Sequence, residues 1–304
     1  MWDFDLSVTI CSWNTRDDLA ACLSSLEAVR DEASFEVLVI DNNSQDDSAQ
    51  MVRERFPWVT LYESPVNLGF TGGHNELLGR RRGRHAFLLN SDAAVFPGCI
   101  RTMLEFAANN PQVGIIGPKI LNPDGSLQLS CRRFPNPRAA MFRNTFLGRL
   151  FPKNKYLREY LMTDWAHDEP RLVDWVSGAA MFVREEVMNK IGLMDPKFFM
   201  FCEDVDWCFR AWKAGFEVAY LPTAVVSHAI GRSTDKAPNN MIWRFHRSML
   251  YFYKKNMLPQ SMPLIRPLKY ATAAAGLTMR ASLFILKNRY ERWKRRRSIK
   301  QKKP

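Results

Sequence analysis

Phe35-Glu36-Val37-Leu38-Val39-Ile40-Asp41-Asn42-Asn43-Ser44 runs from a mostly apolar strand straight into a turn of Asp, Asn and Ser residues. A near-continuous apolar run closed by such a turn is the mark of a strand buried on both faces. Upstream, Leu6-Ser7-Val8-Thr9-Ile10 reads as a second short strand. Between the two, Leu19, Cys22, Leu23 and Leu26 fall at i, i+3, i+4 and i+7. Asn14 or Thr15 can cap that helix, and Asp17 and Asp18 suit its first turn. Downstream, a helix is expected from about Asp46 to Arg55 and a strand over Val59–Tyr62. Asn67-Leu68-Gly69-Phe70-Thr71-Gly72-Gly73 reads as a glycine-rich loop entering a short helix. Phe87-Leu88-Leu89 is a buried strand ending in Asn90-Ser91-Asp92, and the helix Ile100–Ala107 and strand Val113–Ile116 continue the alternation. Repeated βα units predict an α/β fold with a mainly parallel, doubly wound sheet. Ligands of such sheets sit at the carboxyl ends of strands, where Asp41 and Asp92 fall.

Residues 121–172 break this rhythm with Pro123, Pro135, Pro137, Pro152 and Pro170 among aromatic and basic residues, and read as a loop-rich insertion. Order resumes over Val173–Val183, with helices predicted from about Glu185 to Ile191 and from near Glu203. Phe216–Leu221 and Ala224–His228 alternate as two strands. The expected division is a domain over 1–240 and a basic, aromatic, helical tail over 241–304.

With 304 residues, 46% of them hydrophobic, the chain is long and apolar enough for a sizeable core and does not fit a disordered protein. Six cysteines without a CxxC pair point to reduced, buried thiols rather than a disulfide framework or a zinc site. The start, Met1-Trp2-Asp3-Phe4-Asp5, has no cationic stretch before an apolar run, which predicts a cytosolic protein. The net charge of +12 is unevenly spread: residues 241–304 hold 17 Lys and Arg against Glu291 alone, leaving the first 240 residues at −4. Nucleic-acid binding is therefore not expected of the body and stays open for the tail, where it would be salt-sensitive. Tyr270–Leu286 is short of the ~20 residues a membrane span requires and carries Arg280. A helix lying on an anionic membrane surface is the reading preferred over one that crosses it; a solvated basic terminus is the alternative.

Three places could carry chemistry. Asp41 can accept hydrogen bonds from a nucleotide, or simply close an Asx turn. Asp92 can supply an oxygen to Mg2+ or Mn2+ on a diphosphate, or cap a turn. Glu203, Asp204 and Asp206 follow the apolar run Phe198-Phe199-Met200-Phe201-Cys202. Adjacent acids near apolar surface raise one another's proton affinity, which suits a general base; acids in the first turn of a helix are the plain alternative. His228 closes a strand and gains meaning only if it lies near Asp92. No GxGxxG follows the first strand, and no GxxxxGK[ST] or GxSxG occurs, which disfavours nicotinamide, P-loop and serine-hydrolase chemistry.

In their order, these segments resemble glycosyltransferase family 2, the inverting GT-A (Rossmann-like) enzymes, and within it the bacterial rhamnosyltransferase-like branch. The matching pieces are Val8–Asn14, Val39–Ser44, Asn67–Phe70 with Gly72–Asn75, Leu88–Asp92, Gly117–Lys119, Leu121–Gly125, Asp174–Ala179, Phe199-Met200 with Glu203–Trp207, and His228 with Gly231-Arg232-Ser233. The resemblance implies a nucleoside-diphosphate sugar donor, with deoxythymidine-diphosphate-rhamnose preferred. It also implies a glycan or lipid-linked acceptor and Mg2+ or Mn2+ as cofactor, on the inner face of the cell membrane. Thr9, Trp13, Asp41, Asn67 and Gly69 would line the donor nucleotide site, and Asp92 and His228 would hold the metal. Asp204 would be the catalytic base, with Glu203 and Trp175 placing the acceptor. The archetypal metal motif has two carboxylates, whereas Asn90-Ser91-Asp92 has one. A nucleotidyltransferase and a non-catalytic protein binding glycans or membrane surfaces are the alternatives.

Overall fold

The structure is a computed structural model and describes residues 2–143, 145–229 and 238–301; Gly231-Arg232-Ser233 and the last cations of the tail lie outside the described residues. The chain divides into two compact units, Met1–Pro196 with Glu203–Ser233, and Lys197–Cys202 with Thr234–Pro304.

In the first unit β1 (Phe4–Ser12), α1 (Arg16–Glu27), β2 (Phe35–Asp41), α2 (Ser48–Arg55), β3 (Thr60–Glu63), α3 (Gly69–Arg80) and β4 (Gly83–Asn90) alternate, as the sequence predicts. β5 (Ala93–Val95), α4 (Cys99–Asn109) and β6 (Val113–Leu121) follow. The insertion contains β7 (Leu127–Gln128), β8 (Cys131–Arg132), three short helices α5 (Pro137–Phe142), α6 (Phe146–Leu150) and α7 (Lys155–Leu161), and β9 (Arg171–Leu172). β10 (Trp175–Val176), β11 (Ala180–Val183), α8 (Glu185–Ile191), α9 (Glu203–Lys213) and β12 (Glu217–His228) complete the unit. The second unit is built on α10 (Pro238–Phe252) and α11 (Arg266–Gln301).

The main sheet has the order β3-β2-β1-β4-β11-β6-β12-β5. β1, β2, β3 and β4 run parallel, as do β6 and β12; β11 is antiparallel between β4 and β6. In β1, Leu6, Val8 and Ile10 are fully buried, but so are Ser7 and Thr9 on the opposite face. Covering both faces of a parallel sheet obliges such polar groups to find partners inside. Ser7 Oγ donates to Glu36 Oε1 at 2.6 Å, and Thr9 Oγ1 lies 3.0 Å from His74 Nδ1. The apolar face of α1 delivers Leu19, Cys22, Leu23 and Leu26 to the core; a large apolar side chain so buried contributes about 2 kcal/mol.

Three differences from the sequence reading have local causes. From Gly69 onward the glycine-rich stretch is already the start of α3 rather than a loop. Gly73 makes this workable, because a Cβ there would stand 2.6 Å from Cys11 Sγ and 3.2 Å from Ile40, so only a bare backbone lets the helix lie this close to β1 and β2. The two strands expected over 216–228 are one strand, β12, interrupted by a bulge between Leu221 and Val225. Thr15 stands at the N-cap of α1 but makes no capping bond; its hydroxyl lies within 3.0 Å of Ser12 Oγ and 2.9 Å of Ser91 Oγ, tying the ends of β1 and β4 together.

Candidate active site

The carboxyl ends of β1, β2 and β4 gather the residues expected at the donor side. Asp41 is the last residue of β2 and is 5% exposed. Its Oδ2 accepts the Ser44 N–H at 2.9 Å, so the Asx turn forms. Its Oδ1 is buried and has no partner among the described residues. A buried carboxylate oxygen left open in this way fits a hydrogen-bond donor from outside the chain, such as a nucleotide. Beside it, Asn42 donates to the Gly69 carbonyl at 3.0 Å, and Asn67 Oδ1 accepts the Gly69 N–H at 2.9 Å, with Gly69 at φ 74°. Asn67 and Gly69 therefore form the wall where α3 begins, with the Asn67 carbonyl oxygen turned to the wall itself. Trp13 is half-buried just after β1. Thr9 sits below the site, fully buried against His74, not on its surface.

Asp92 and His228 are brought together. β5 pairs antiparallel with β12, Ala93 opposite His228, which sets Asp92 Oδ1 3.2 Å from His228 Nε2. Asn90, quoted in the sequence reading only as part of the strand end, and Gln128, which that reading missed, complete this corner. Asn90 Nδ2 lies 3.0 Å from His228 Nε2, and Gln128 Oε1 lies 2.9 Å from His228 Nδ1. With the Nδ1 proton donated to Gln128, Nε2 accepts from the Asn90 amide and lies beside the Asp92 carboxylate. A carboxylate oxygen and an imidazole nitrogen this close make a fitting start for a divalent cation that would take the place of the Asn90 contact on Nε2. Among the described residues no group of three or more His, Cys, Asp or Glu could hold one alone. The set fits a Mg2+ or Mn2+ whose remaining ligands are phosphate oxygens and water.

On the side where the acceptor is expected, Asp204 and Glu203 open α9. Asp204 Oδ2 accepts the Gly178 N–H at 3.1 Å and Oδ1 accepts the Val205 N–H at 2.8 Å. Glu203 is 5% exposed, and its Oε2 is buried without a partner among the described residues. Burial raises the proton affinity of both carboxyls. For Glu203 the neighbouring Asp204 charge adds to the effect, pushing it well above the ordinary glutamate value. For Asp204 the two amides and the field of Arg132 work in the opposite direction. Of the two, Glu203 holds its proton the more tightly, and the amides and Arg132 make Asp204 the easier one to ionise. Trp175 is buried on β10, its Nε1 donating to the Arg133 carbonyl at 2.9 Å, and the Arg132 guanidinium lies 5.2 Å from its ring centre. Arg132 and Gln128 carry no local sequence signal; strand pairing of β8 with β10 and of β7 with β6 places them.

Two consecutive residues join the halves. Gly178 donates to Asp204, and the Ala179 carbonyl accepts the Asn90 N–H at 2.9 Å. Phe70, on α3 at the donor wall, closes over the same segment: a Cβ on Gly178 would lie 3.2 Å from its ring.

Residues 5–261 match the family described as glycosyltransferase like family 2. Over 259 residues the chain is 32% identical to the N-acetylglucosaminyl-diphospho-decaprenol L-rhamnosyltransferase of Mycobacterium tuberculosis, covering 81% of this chain and 83% of that protein. It is 24% identical over 228 residues to a low-salt glycan biosynthesis hexosyltransferase of Haloferax volcanii, covering 74% and 67%. Among solved structures, a mannosyltransferase from Pyrobaculum calidifontis in complex with GDP-Man and Mn2+ superposes with a TM-score of 0.57 at 16% identity, over 93% of this chain and 79% of that one. The fold is that of the GT-A glycosyltransferases, and the chain belongs to the glycosyltransferase family 2-like family as a transferase of sugars.

Proposed function

We propose that the chain transfers L-rhamnose from a nucleoside-diphosphate donor, deoxythymidine-diphosphate-rhamnose, to a hydroxyl of a lipid-linked acceptor, with inversion at the anomeric carbon. The observation that carries this reading is the Gly178–Ala179 link, which ties the Asp204 carboxylate to the Asn90–His228–Asp92 corner. A base and a diphosphate site on one backbone segment suit a single in-line displacement. The choice of sugar and acceptor is supported by the name of the mycobacterial relative.

In this mechanism Asp41 Oδ1 receives a hydrogen bond from the donor nucleotide, and Trp13, Asn67 and Gly69 wall its pocket. Asp92 and His228 would hold Mg2+ or Mn2+, which when bound offsets charge on the leaving diphosphate. Ionised Asp204 takes the proton of the acceptor hydroxyl as the new carbon–oxygen bond forms and the bond to the diphosphate breaks. Protonated Glu203 donates a hydrogen bond to the acceptor, and Trp175 supplies an apolar wall for it. The leaving group is already good, so no acid needs to protonate it.

The tail supports attachment to an anionic membrane surface. Leu264 is 89% exposed and Leu268 72%, beside Arg266 and Lys269, and Met279, Leu283 and Leu286 are also exposed. No helix among the described residues is long and apolar enough to cross a membrane.

The test incubates purified protein with a panel of nucleotide sugars and Mn2+, following donor-dependent thermal shift and nucleoside-diphosphate release. Stabilisation by the deoxythymidine-diphosphate sugar above all others supports the proposal. Equal or no response across the panel, from folded protein, overturns the donor assignment.

A further inference from the structure

The insertion has a property that sugar transfer does not explain. From Ser130 to Tyr160 it carries eight Lys and Arg against one acid, Glu159. Arg149-Leu150-Phe151-Pro152-Lys153, where α6 gives way to α7, is exposed at every residue. Leu150 is 58% exposed, Phe151 53%, and Met141 on the neighbouring α5 57%. Arg138, Lys155 and Arg158 are exposed around them.

The hairpin that presents this tip is built, not loose. Asn136 Oδ1 caps α5 through the Ala139 N–H, and Asn154 Oδ1 caps α7 through the Leu157 N–H. Phe142 and Tyr156 stack between the two helices, and Arg143 donates to Tyr160 Oη at 2.9 Å. At its base the Arg133 N–H donates to the Tyr160 carbonyl, and β8 pairs with β10, two residues before the Gly178 that holds Asp204. Large apolar side chains flanked by cations, on helices capped and stacked in this way, match an interface of acyl chains under anionic headgroups.

We propose that this α5–α7 hairpin is a second membrane contact, separate from the tail, by which the catalytic unit itself rests on an anionic lipid bilayer. Leu150, Phe151 and Met141 enter the headgroup boundary, and Arg138, Arg149 and Lys153 meet the lipid phosphates. The contact lies on the same strand pair as the acceptor wall, so a lipid-linked acceptor would meet Asp204 without leaving the surface. This inference rests on the lipid-linked reading of the acceptor.

The test uses the full chain with Leu150→Cys carrying an environment-sensitive fluorophore. The native cysteines are buried or half-buried, so position 150 takes the label. Phosphatidylglycerol vesicles are expected to shift the emission to the blue, and phosphatidylcholine vesicles are not. Each cation near an anionic surface raises affinity roughly fivefold. The triple change Arg138→Gln, Arg149→Gln, Lys153→Gln is therefore expected to weaken the vesicle response on the order of a hundredfold, while turnover on a soluble acceptor analogue is unchanged. An unshifted probe on protein that co-sediments with phosphatidylglycerol vesicles overturns the proposal, leaving the tail as the attachment. Equal shifts with both lipids overturn the electrostatic assignment, and so does failure to bind either. No turnover by the parent chain on the soluble analogue would instead count against the transfer reading, whereas a loss confined to the triple variant would overturn the assignment of these cations to the membrane, which separates the two.

Discussion

Gln128 Oε1 lies 2.9 Å from Nδ1 of His228, while Gln128 Nε2 donates to Asn122 Oδ1 at the same distance. The amide is thus fixed from behind, and it fixes in turn which imidazole nitrogen keeps its proton. Outer partners of this type commonly govern metal affinity by about 10- to 100-fold. Gln128→Ala should weaken Mn2+ binding by about tenfold, read by Mn2+ titration with nucleoside diphosphate present, with the melting temperature little changed. Unaltered affinity would mean that His228 does not bind the ion.

Asp204→Asn should lower transfer by about three orders of magnitude, the middle of the range for a general base. Donor-dependent thermal shift should persist, since Asp41, Asp92 and His228 are untouched. Near-normal turnover would remove Asp204 from the role of base.

Glu203 links pH to stability in a definite direction. Its carboxyl stays protonated in the folded chain well above the ordinary value of 4.5, because it is buried beside Asp204. The unfolded chain releases that proton from about pH 4.5 upward, so folding loses stability as pH rises from there towards the raised value. Glu203→Gln should match the parent near pH 4 and melt at a higher temperature as pH increases. It should also keep more activity than Glu203→Ala, since the amide can still donate to the acceptor.

His74 acts in the opposite direction. Burial lowers its pKa from 6.5 to about 3. The unfolded chain therefore takes up a proton first, and stability present above pH 6.5 is lost as the pH falls towards 3. Between pH 6.5 and 4 the loss is about 3 kcal/mol. Denaturant unfolding of His74→Asn should show a flatter acid limb than the parent; identical limbs would place the titration elsewhere.

Gly83 marks where β4 starts against β1. A Cβ there would stand 2.3 Å from the backbone of Leu6 and Ser7. Its N–H also donates to Ser7 Oγ at 2.8 Å, in a cluster centred on buried Glu36. Gly83→Ala should cost about 2 kcal/mol or more through displaced backbone, measured by chemical denaturation. A change within 0.5 kcal/mol, roughly that of a surface substitution, would refute the close approach.

How far the residues foretold the structure follows from the range of the forces involved. The helical face of Leu19, Cys22, Leu23 and Leu26 and the strand of Phe35–Ile40 were readable because burial writes its period locally. Asp41 and Asp92 were readable because a strand's end is local too. β5, three residues long, has no period to read. Gly73 looked like loop material because a glycine's reason inside a helix is the strand on the other side. Gln128 and Arg132 reach the site only through strand pairing, a contact across sequence distance that neither residue announces.

The bulge in β12 turns the site into a matter of counting. Leu221 pairs with Pro118 and Val225 with Lys119, so Pro222, Thr223 and Ala224 have no counterpart between adjacent residues of β6. Side chains alternate from face to face along a strand, and everything after the bulge inherits its parity. His228 stands beside Asp92 because the number of residues from the bulge onward is right, whatever most of them are. Evolution can therefore vary the exposed Thr223 more readily than it can change the length of this stretch, since a single inserted or lost residue would turn the imidazole to the other face of the sheet.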